Sequence, residues 1–188
     1  MCGIAGYLSR STGSTSTDEP VGRILLDMLT GLARRGPDSA GLALFKEALG
    51  AVTKKLAMEI VRDGEGATKV MHIEVLGAAT EADAKCIARA IALSPLVKTA
   101  IFGMDPNWGR IISAAGASGA KFDPLRARLD IDGACVYNLG KPRRLRAEIM
   151  RNPDVFIRLE TGLGRASARF WSCDLSIDYV KINAEYMT

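Results

Sequence analysis

A cysteine directly follows the initiator methionine, and that placement can do chemistry. Removal of Met1 would leave Cys2 carrying both a thiol nucleophile and a free α-amine. An α-amino group titrates near ~7.7–8.0, so a useful fraction is neutral at physiological pH and can take the thiol proton without any histidine. A second feature is the turn Asp63-Gly64-Glu65-Gly66. Its glycines permit a tight reversal, and it holds the Glu65 carboxylate where an amino group of a bound amino acid could meet it. The plainer reading of the same residues is a solvated acidic turn at a helix end. His72 is the sole histidine, so a Ser-His or Cys-His pair would have to be built around it. Within Val70 to Val75 it lies opposite Ile73 and Val75 on an alternating strand, which points it to solvent beside Glu74.

Other patterns exclude chemistry. Cys2, Cys86, Cys135 and Cys173 form no C-x-x-C pair, so neither a disulfide framework nor a zinc site is indicated, and the last three read as core thiols. Gly162-x-Gly164 lacks the third glycine of a dinucleotide fingerprint, and Asp130-x-Asp132-Gly133 lacks the remaining calcium-loop ligands. No metal and no cofactor is expected.

The elements that must position these residues are legible from periodicity. Ile4 to Leu8 reads as a strand and Ser9 to Thr17 as a polar loop. A helix follows, capped by Asp18, with Val21, Ile24, Leu25, Met28, Leu29 and Leu32 on one face. Gly41 to Phe45 reads as a second strand. From Lys46 onward, Leu49, Val52, Leu56 and Ile60 make a helical stripe that stops at Asp63-Gly64, and Thr68 to Leu76 alternates as a strand. Thr80 and Asp83 form a capping box for a helix to about Leu93, with Ile87, Ala90, Ile91 and Ala92 on its apolar face. Val97 to Gly103 reads as a buried strand. Asp105 or Asn107 can cap the next helix, which carries Ile111, Ile112 and Ala115, and Trp108 can pack over its start. Asp132-Gly133 signals a hairpin within Leu129 to Tyr137. Thr161 to Gly164 reads as a second hairpin, between Val155–Glu160 and Ala168–Cys173. Interleaved strands, helices and hairpins predict a layered mixed α/β sandwich with an N-terminal strand-helix-strand appendage.

At 188 residues, 48% of them apolar, the chain can bury a substantial core. Its net charge of +4 is spread along the sequence, with the densest basic run at Lys141 to Arg146, a solvated segment on the simplest reading. Neither nucleic-acid nor membrane binding is expected. No apolar stretch approaches the ~20 residues that span a bilayer and no secretory signal opens the chain, so a cytoplasmic location is expected.

Two resemblances divide the sequence. Met1-Cys-Gly-Ile-Ala-Gly-Tyr-Leu8 and Arg35-Gly-Pro-Asp-Ser-Ala-Gly41 resemble the class II glutamine amidotransferases, N-terminal-nucleophile hydrolases, over residues 1–45. That resemblance implies Cys2 as the nucleophile. The later segments of that family that bind glutamine and form its oxyanion hole have no counterpart here, and a nucleophile without such donors forfeits on the order of 10²–10³ in rate per donor.

Residues 46–188 resemble the C-terminal part of the ornithine acetyltransferases (glutamate N-acetyltransferases). The resemblance rests on Ile60-Val-Arg-Asp-Gly-Glu-Gly-Ala-Thr-Lys69, on Ser94-Pro-Leu-Val-Lys-Thr-Ala-Ile-Phe-Gly-Met-Asp-Pro-Asn-Trp-Gly-Arg-Ile111, and on Cys173-Asp-Leu-Ser176 with Asp178-Tyr-Val-Lys-Ile-Asn-Ala-Glu-Tyr186. It implies an ornithine-acetyltransferase-like fold and a substrate site that uses Glu65, Asn183 and Thr188. There an amide and a hydroxyl would hold the α-carboxylate and side-chain polar groups of ornithine or glutamate. It also implies ping-pong transfer of acetyl from N-acetylornithine to glutamate, in arginine biosynthesis, through a self-liberated threonine. No segment of the Met-Ala-Thr-Met-Leu type that carries that threonine occurs in this sequence, and Thr53, Thr68 and Thr99 lie in other contexts. The chain alone is therefore expected to bind ornithine, N-acetylornithine or glutamate without forming an acetyl-enzyme. Its expected protein partner is a second copy or a complementary acetyltransferase chain. Two alternatives follow from the same residues: an enzyme working through Cys2, or a noncatalytic chimeric module that self-associates through an unpaired sheet edge.

Overall fold

The computed structural model describes residues 39–143 and 149–185. Cys2, Thr188, the strand, loop and helix expected before residue 33, and the end of the basic run lie outside them. The chain divides into two compact units at Leu56/Ala57, and the first contributes to the described residues only part of one helix.

That helix, α1 (Ser39–Arg62), replaces the strand expected at Gly41 to Phe45. Leu42, Ala43, Leu44 and Ala48 are strong helix formers without β-branching, so the run has little reason to stay extended. Val52, Leu56 and Ile60 are exposed, and Met58 and Val61 are buried instead, against Val70 and Trp171.

The unit from Ala57 onward is built on one six-stranded sheet. Its strands are β1 (Val70–Ala78), β2 (Arg128–Ile131), β3 (Ala134–Asn138), β4 (Lys141–Pro142), β5 (Asp154–Glu160) and β6 (Ala166–Cys173), in the order β4-β3-β2-β5-β1-β6. β1 runs parallel to β5, and the remaining pairs are antiparallel. The helices α2 (Glu81–Leu93), α3 (Pro95–Phe102) and α4 (Trp108–Gly116) form a layer with it, and α5 (Ile177–Glu185) closes the described residues. Met71, Ile73 and Val75 of β1, Val155, Ile157 and Leu159 of β5, and Ala84, Ile87, Ala88 and Ile91 of α2 share one core. A layered mixed α/β sandwich is thus what the chain forms.

Local signals act as expected at several places. Thr80 caps α2 by accepting from Asp83 N at 3.1 Å, and its hydroxyl donates to Asp83 Oδ2 at 2.7 Å. Ala88 is buried on that helix, whereas Ala90 is only half-buried. Asn107 caps α4, and Trp108 stacks on Tyr137 with centroids 5.1 Å apart. At the β2–β3 turn Asp132 and Gly133 take φ of 47° and 79°, the two left-handed residues of a tight hairpin.

Further expectations fail. Val97 to Gly103 is helical: Ser94 caps α3, Pro95 occupies its first turn, and the buried residues Val97, Ala100 and Ile101 follow helical spacing. Thr161 to Gly164 is not a hairpin, because β1 lies between β5 and β6. The loop wraps the end of β1 instead, with Leu163 N and Gly164 N donating to Gly77 O at 2.8 and 2.7 Å and Thr161 Oγ1 donating to the same carbonyl at 2.6 Å. The free cysteines are also corrected. Cys86 is exposed, and Cys135 and Cys173 are half-buried at strand positions near the sheet margin, so none is a core thiol.

Candidate functional site

His72 faces away from the core as its strand position predicts, but it is engaged rather than solvated. Its Nε2 lies 2.7 Å from Asp154 Oδ1, and its ring stacks on Phe156 with centroids 4.5 Å apart. Glu74 pairs with Arg169 and Arg158 instead. The hydrogen bond to His72 is the largest influence on the Asp154 carboxyl; burial opposes it, and the hydrogen bond from Arg62 adds to it, so the carboxyl is held below the ordinary aspartate range. This cluster ties the end of α1 to the start of β5.

The site proper forms at the same end of the sheet, where β1 and β5 begin and β6 finishes. After Arg62 the chain turns through Asp63 to Gly66, with Ala67 N donating to Gly64 O at 2.9 Å. Gly66 has φ +62°, and a Cβ there would lie 2.5 Å from Tyr179 N, so the turn presses directly on the first turn of α5. Ser176 caps α5, accepting from Tyr179 N at 3.1 Å while its hydroxyl donates to Gly66 O at 2.6 Å. Asp174, buried, accepts from Thr68 N at 2.9 Å, from Lys69 N at 3.0 Å and from the Thr68 hydroxyl. Asp174 N in turn donates to Lys69 O at 3.1 Å. A buried carboxylate with its acceptor positions filled by donors from one loop fixes that loop, because breaking the set would strand a charge away from water.

This clamp brings Glu65 and Asn183 together. Asn183 Nδ2 donates to Glu65 Oε2 at 3.0 Å across 118 positions of sequence, and also to Tyr179 O at 2.9 Å. Both side chains are exposed, so the bond is worth roughly 0.5–1.5 kcal/mol and orients Glu65 more than it stabilises the fold. It occupies one carboxylate oxygen, leaving Oε1 for another donor. Thr188 and Cys2 lie outside the described residues. Among the other threonines considered, Thr53 donates to Leu49 O, Thr99 to Pro95 O and Thr68 to Asp174.

Asp174, Ser176 and Thr68 were not singled out from the sequence as site residues. The Ser176-to-Tyr179 spacing ahead of an apolar run is an N-cap signal that could have found one of them. The Asp174–Thr68 pairing has no local signature.

The three sequence stretches that carried the acetyltransferase resemblance meet here. The first supplies Gly66, Thr68 and Lys69, the third supplies Asp174 and Ser176, and the second is joined to the third by Leu175 N donating to Lys98 O at 3.3 Å. A mixed α/β sandwich with these stretches gathered at one end of its sheet is the kind of molecule for which relatives were found. A model described as the ArgJ family matches residues 12–188, which includes most of the stretch resembling the amidotransferases. The arginine biosynthesis bifunctional protein ArgJ of Symbiobacterium thermophilum is 44% identical over 180 residues, covering 94% of this chain and 44% of that protein. A glutamate N-acetyltransferase of Methanosarcina acetivorans is 42% identical over 187 residues, covering 94% of this chain and 46% of its own length. The crystal structure of the arginine biosynthesis bifunctional protein ArgJ from Bacillus halodurans aligns with a TM-score of 0.76 at 38% identity, over 83% of this chain and 77% of that one.

The chain belongs to the ArgJ family, the ornithine acetyltransferases. It spans a little under half the length of the curated relatives it matches.

Proposed function

We propose that this chain supplies the amino-acid-binding part of a glutamate N-acetyltransferase. The enzyme would move acetyl from N-acetylornithine to glutamate in arginine biosynthesis, with the reacting threonine on a complementary polypeptide segment. The observation that carries the reading is the hydrogen bond between Asn183 and Glu65. Two residues assigned to one substrate by resemblance lie 118 positions apart in sequence, and the clamp of Asp174 and Ser176 holds both of their supports.

In this reading Glu65 accepts from the ammonium of the bound amino acid through Oε1, while Asn183 fixes the carboxylate plane through Oε2. Such fixed orientation is what a transfer between two small substrates needs, since a displaced acetyl donor or acceptor loses most of the advantage of proximity. The site requires no metal or cofactor for this role. Free Cys86 on the surface fits a reducing compartment such as the cytoplasm.

Calorimetric titration with N-acetylornithine tests the proposal. The chain is expected to bind weakly, and Glu65→Gln and Asn183→Ala to weaken that binding by about tenfold each, the loss of one charge-assisted hydrogen bond. Absence of any heat at millimolar ligand, or unchanged affinity in the double variant, would sink it.

A further inference from the structure

A zwitterionic amino acid needs two complementary charges, and Glu65 offers only one. The described residues hold an unused cation close by. Lys98 rides on α3, whose Val97, Ala100 and Ile101 are buried, and is itself half-buried. Among the described residues no carboxylate pairs with its ammonium, and its polar neighbour is Cys173 Sγ at 3.9 Å. A thiol is a weak acceptor and does little to compensate a partly desolvated charge. The nearby cations are better served: Arg62 holds Asp154, and Lys69 Nζ donates to Met150 O at 2.7 Å and to Asn152 O at 3.3 Å.

The position of that ammonium relates it to the Glu65 turn. A Cβ on Gly64 would meet Cys173 Sγ and Val61 O, each at 3.2 Å, and Gly64 directly precedes Glu65. The Lys98 backbone is fastened on the same side, its carbonyl accepting from Leu175 N at 3.3 Å, one residue after the Asp174 clamp. Lys98, Cys173 and Gly64 therefore form a short path from an ammonium with only a thiol beside it to the base of the turn.

We infer that Lys98 is a specificity-determining residue that takes the carboxylate of the amino acid whose ammonium meets Glu65. The inference rests on the amino-acid-binding reading above. Lys98 contributes a point charge with rotatable donors, suited to a carboxylate whose approach is set by the Glu65–Asn183 pair. Together the two charges would favour an α-amino acid over an amine of the same shape and over a simple carboxylic acid.

The test compares L-ornithine with L-ornithinamide, which replaces the carboxylate by an uncharged carboxamide, in calorimetric titrations of the 188-residue chain. Wild type is expected to prefer ornithine by about tenfold, the size of one charge-assisted contact. Lys98→Met should erase the preference by weakening ornithine alone, and Lys98→Arg should keep most of it. Thermal unfolding of each variant checks that the fold is retained, and a merely structural role for Lys98 would move both ligands equally. A preference that persists in Lys98→Met overturns the inference and leaves the Glu65 reading standing. So does equal binding of both ligands by wild type. Binding of neither ligand overturns the inference together with the reading beneath it.

Discussion

Asp174 and Thr68, 106 positions apart, are joined twice: the Thr68 backbone N–H and the Thr68 hydroxyl donate to separate oxygens of the same buried carboxylate. Lys69 N supplies a further donor. This junction sets the loop after the Glu65 turn against the residue that precedes α5. Asp174→Ala is expected to destabilise the chain by roughly 1–3 kcal/mol, because partly buried backbone donors lose the buried carboxylate that accepts from them. Urea unfolding followed by circular dichroism checks the figure. A cost below the resolution of that measurement would mean that the loop is held by other contacts.

The press of Gly66 on α5 gives a sharper comparison. Gly66→Ala must adopt φ near +62° and place a methyl 2.5 Å from Tyr179 N, whereas Gly119→Ala, at φ +76°, meets nothing within 4 Å. The second substitution should cost roughly 1–2 kcal/mol, the penalty of a left-handed alanine alone. The first should cost about 2–4 kcal/mol, since displacement of packed backbone is added. Midpoints from parallel denaturant titrations would show the difference, and equal costs would contradict the close approach.

At the β2–β3 turn Asp132 does more than reverse the chain. Its Oδ2 accepts from Met150 N at 2.8 Å and its Oδ1 from Phe156 N at 2.8 Å. Asp132→Asn keeps one acceptor and tolerates the left-handed turn, while Asp132→Ala loses both acceptors and suits the turn poorly. The alanine variant is expected to be less stable than the asparagine variant by about 1–2 kcal/mol, read from thermal or urea unfolding. Equal stability of the two would show that neither contact contributes.

Acid stability should depend on Asp154. Its carboxyl is held below the ordinary value, first by His72 and then by Arg62, so its charged form is favoured by folding. That contribution is complete above the unfolded pKa of ~3.9 and disappears as pH falls through the lower folded value. Asp154→Asn should therefore flatten the fall in stability below about pH 4 while lowering stability at neutral pH. Unfolding free energies measured from pH 2 to 7 on both proteins test this, and parallel acid limbs would refute it.

Short-range signals were legible at several places where a residue's partner lies within a few positions, though the caps at Ser94 and Ser176 were not among them. Thr80 with Asp83, Asn107 ahead of α4, and Asp132-Gly133 all act locally, and each could be placed from the sequence. Val97 to Gly103 reads as a strand yet forms a helix because a short apolar run is consistent with either a buried strand or a buried helix turn. Ser94 and Pro95 at its start are the signals that decide for helix. On α1 periodicity finds a helical stripe but not which residues will be covered: Met58 and Val61 are buried, while Val52, Leu56 and Ile60 are exposed.

The sequence by itself determined the family, through long stretches of unusual residues, and the caps and turns that act within one element. Tertiary structure alone decided that β1 inserts between β5 and β6, that Asp174 closes on Thr68, that Asn183 reaches Glu65, and that Lys98 ends beside Cys173. Those relations join positions from about 75 to 118 residues apart, where no local propensity acts. Strand order and the shared burial of the sheet bring them together, and neither leaves a periodic trace in the chain.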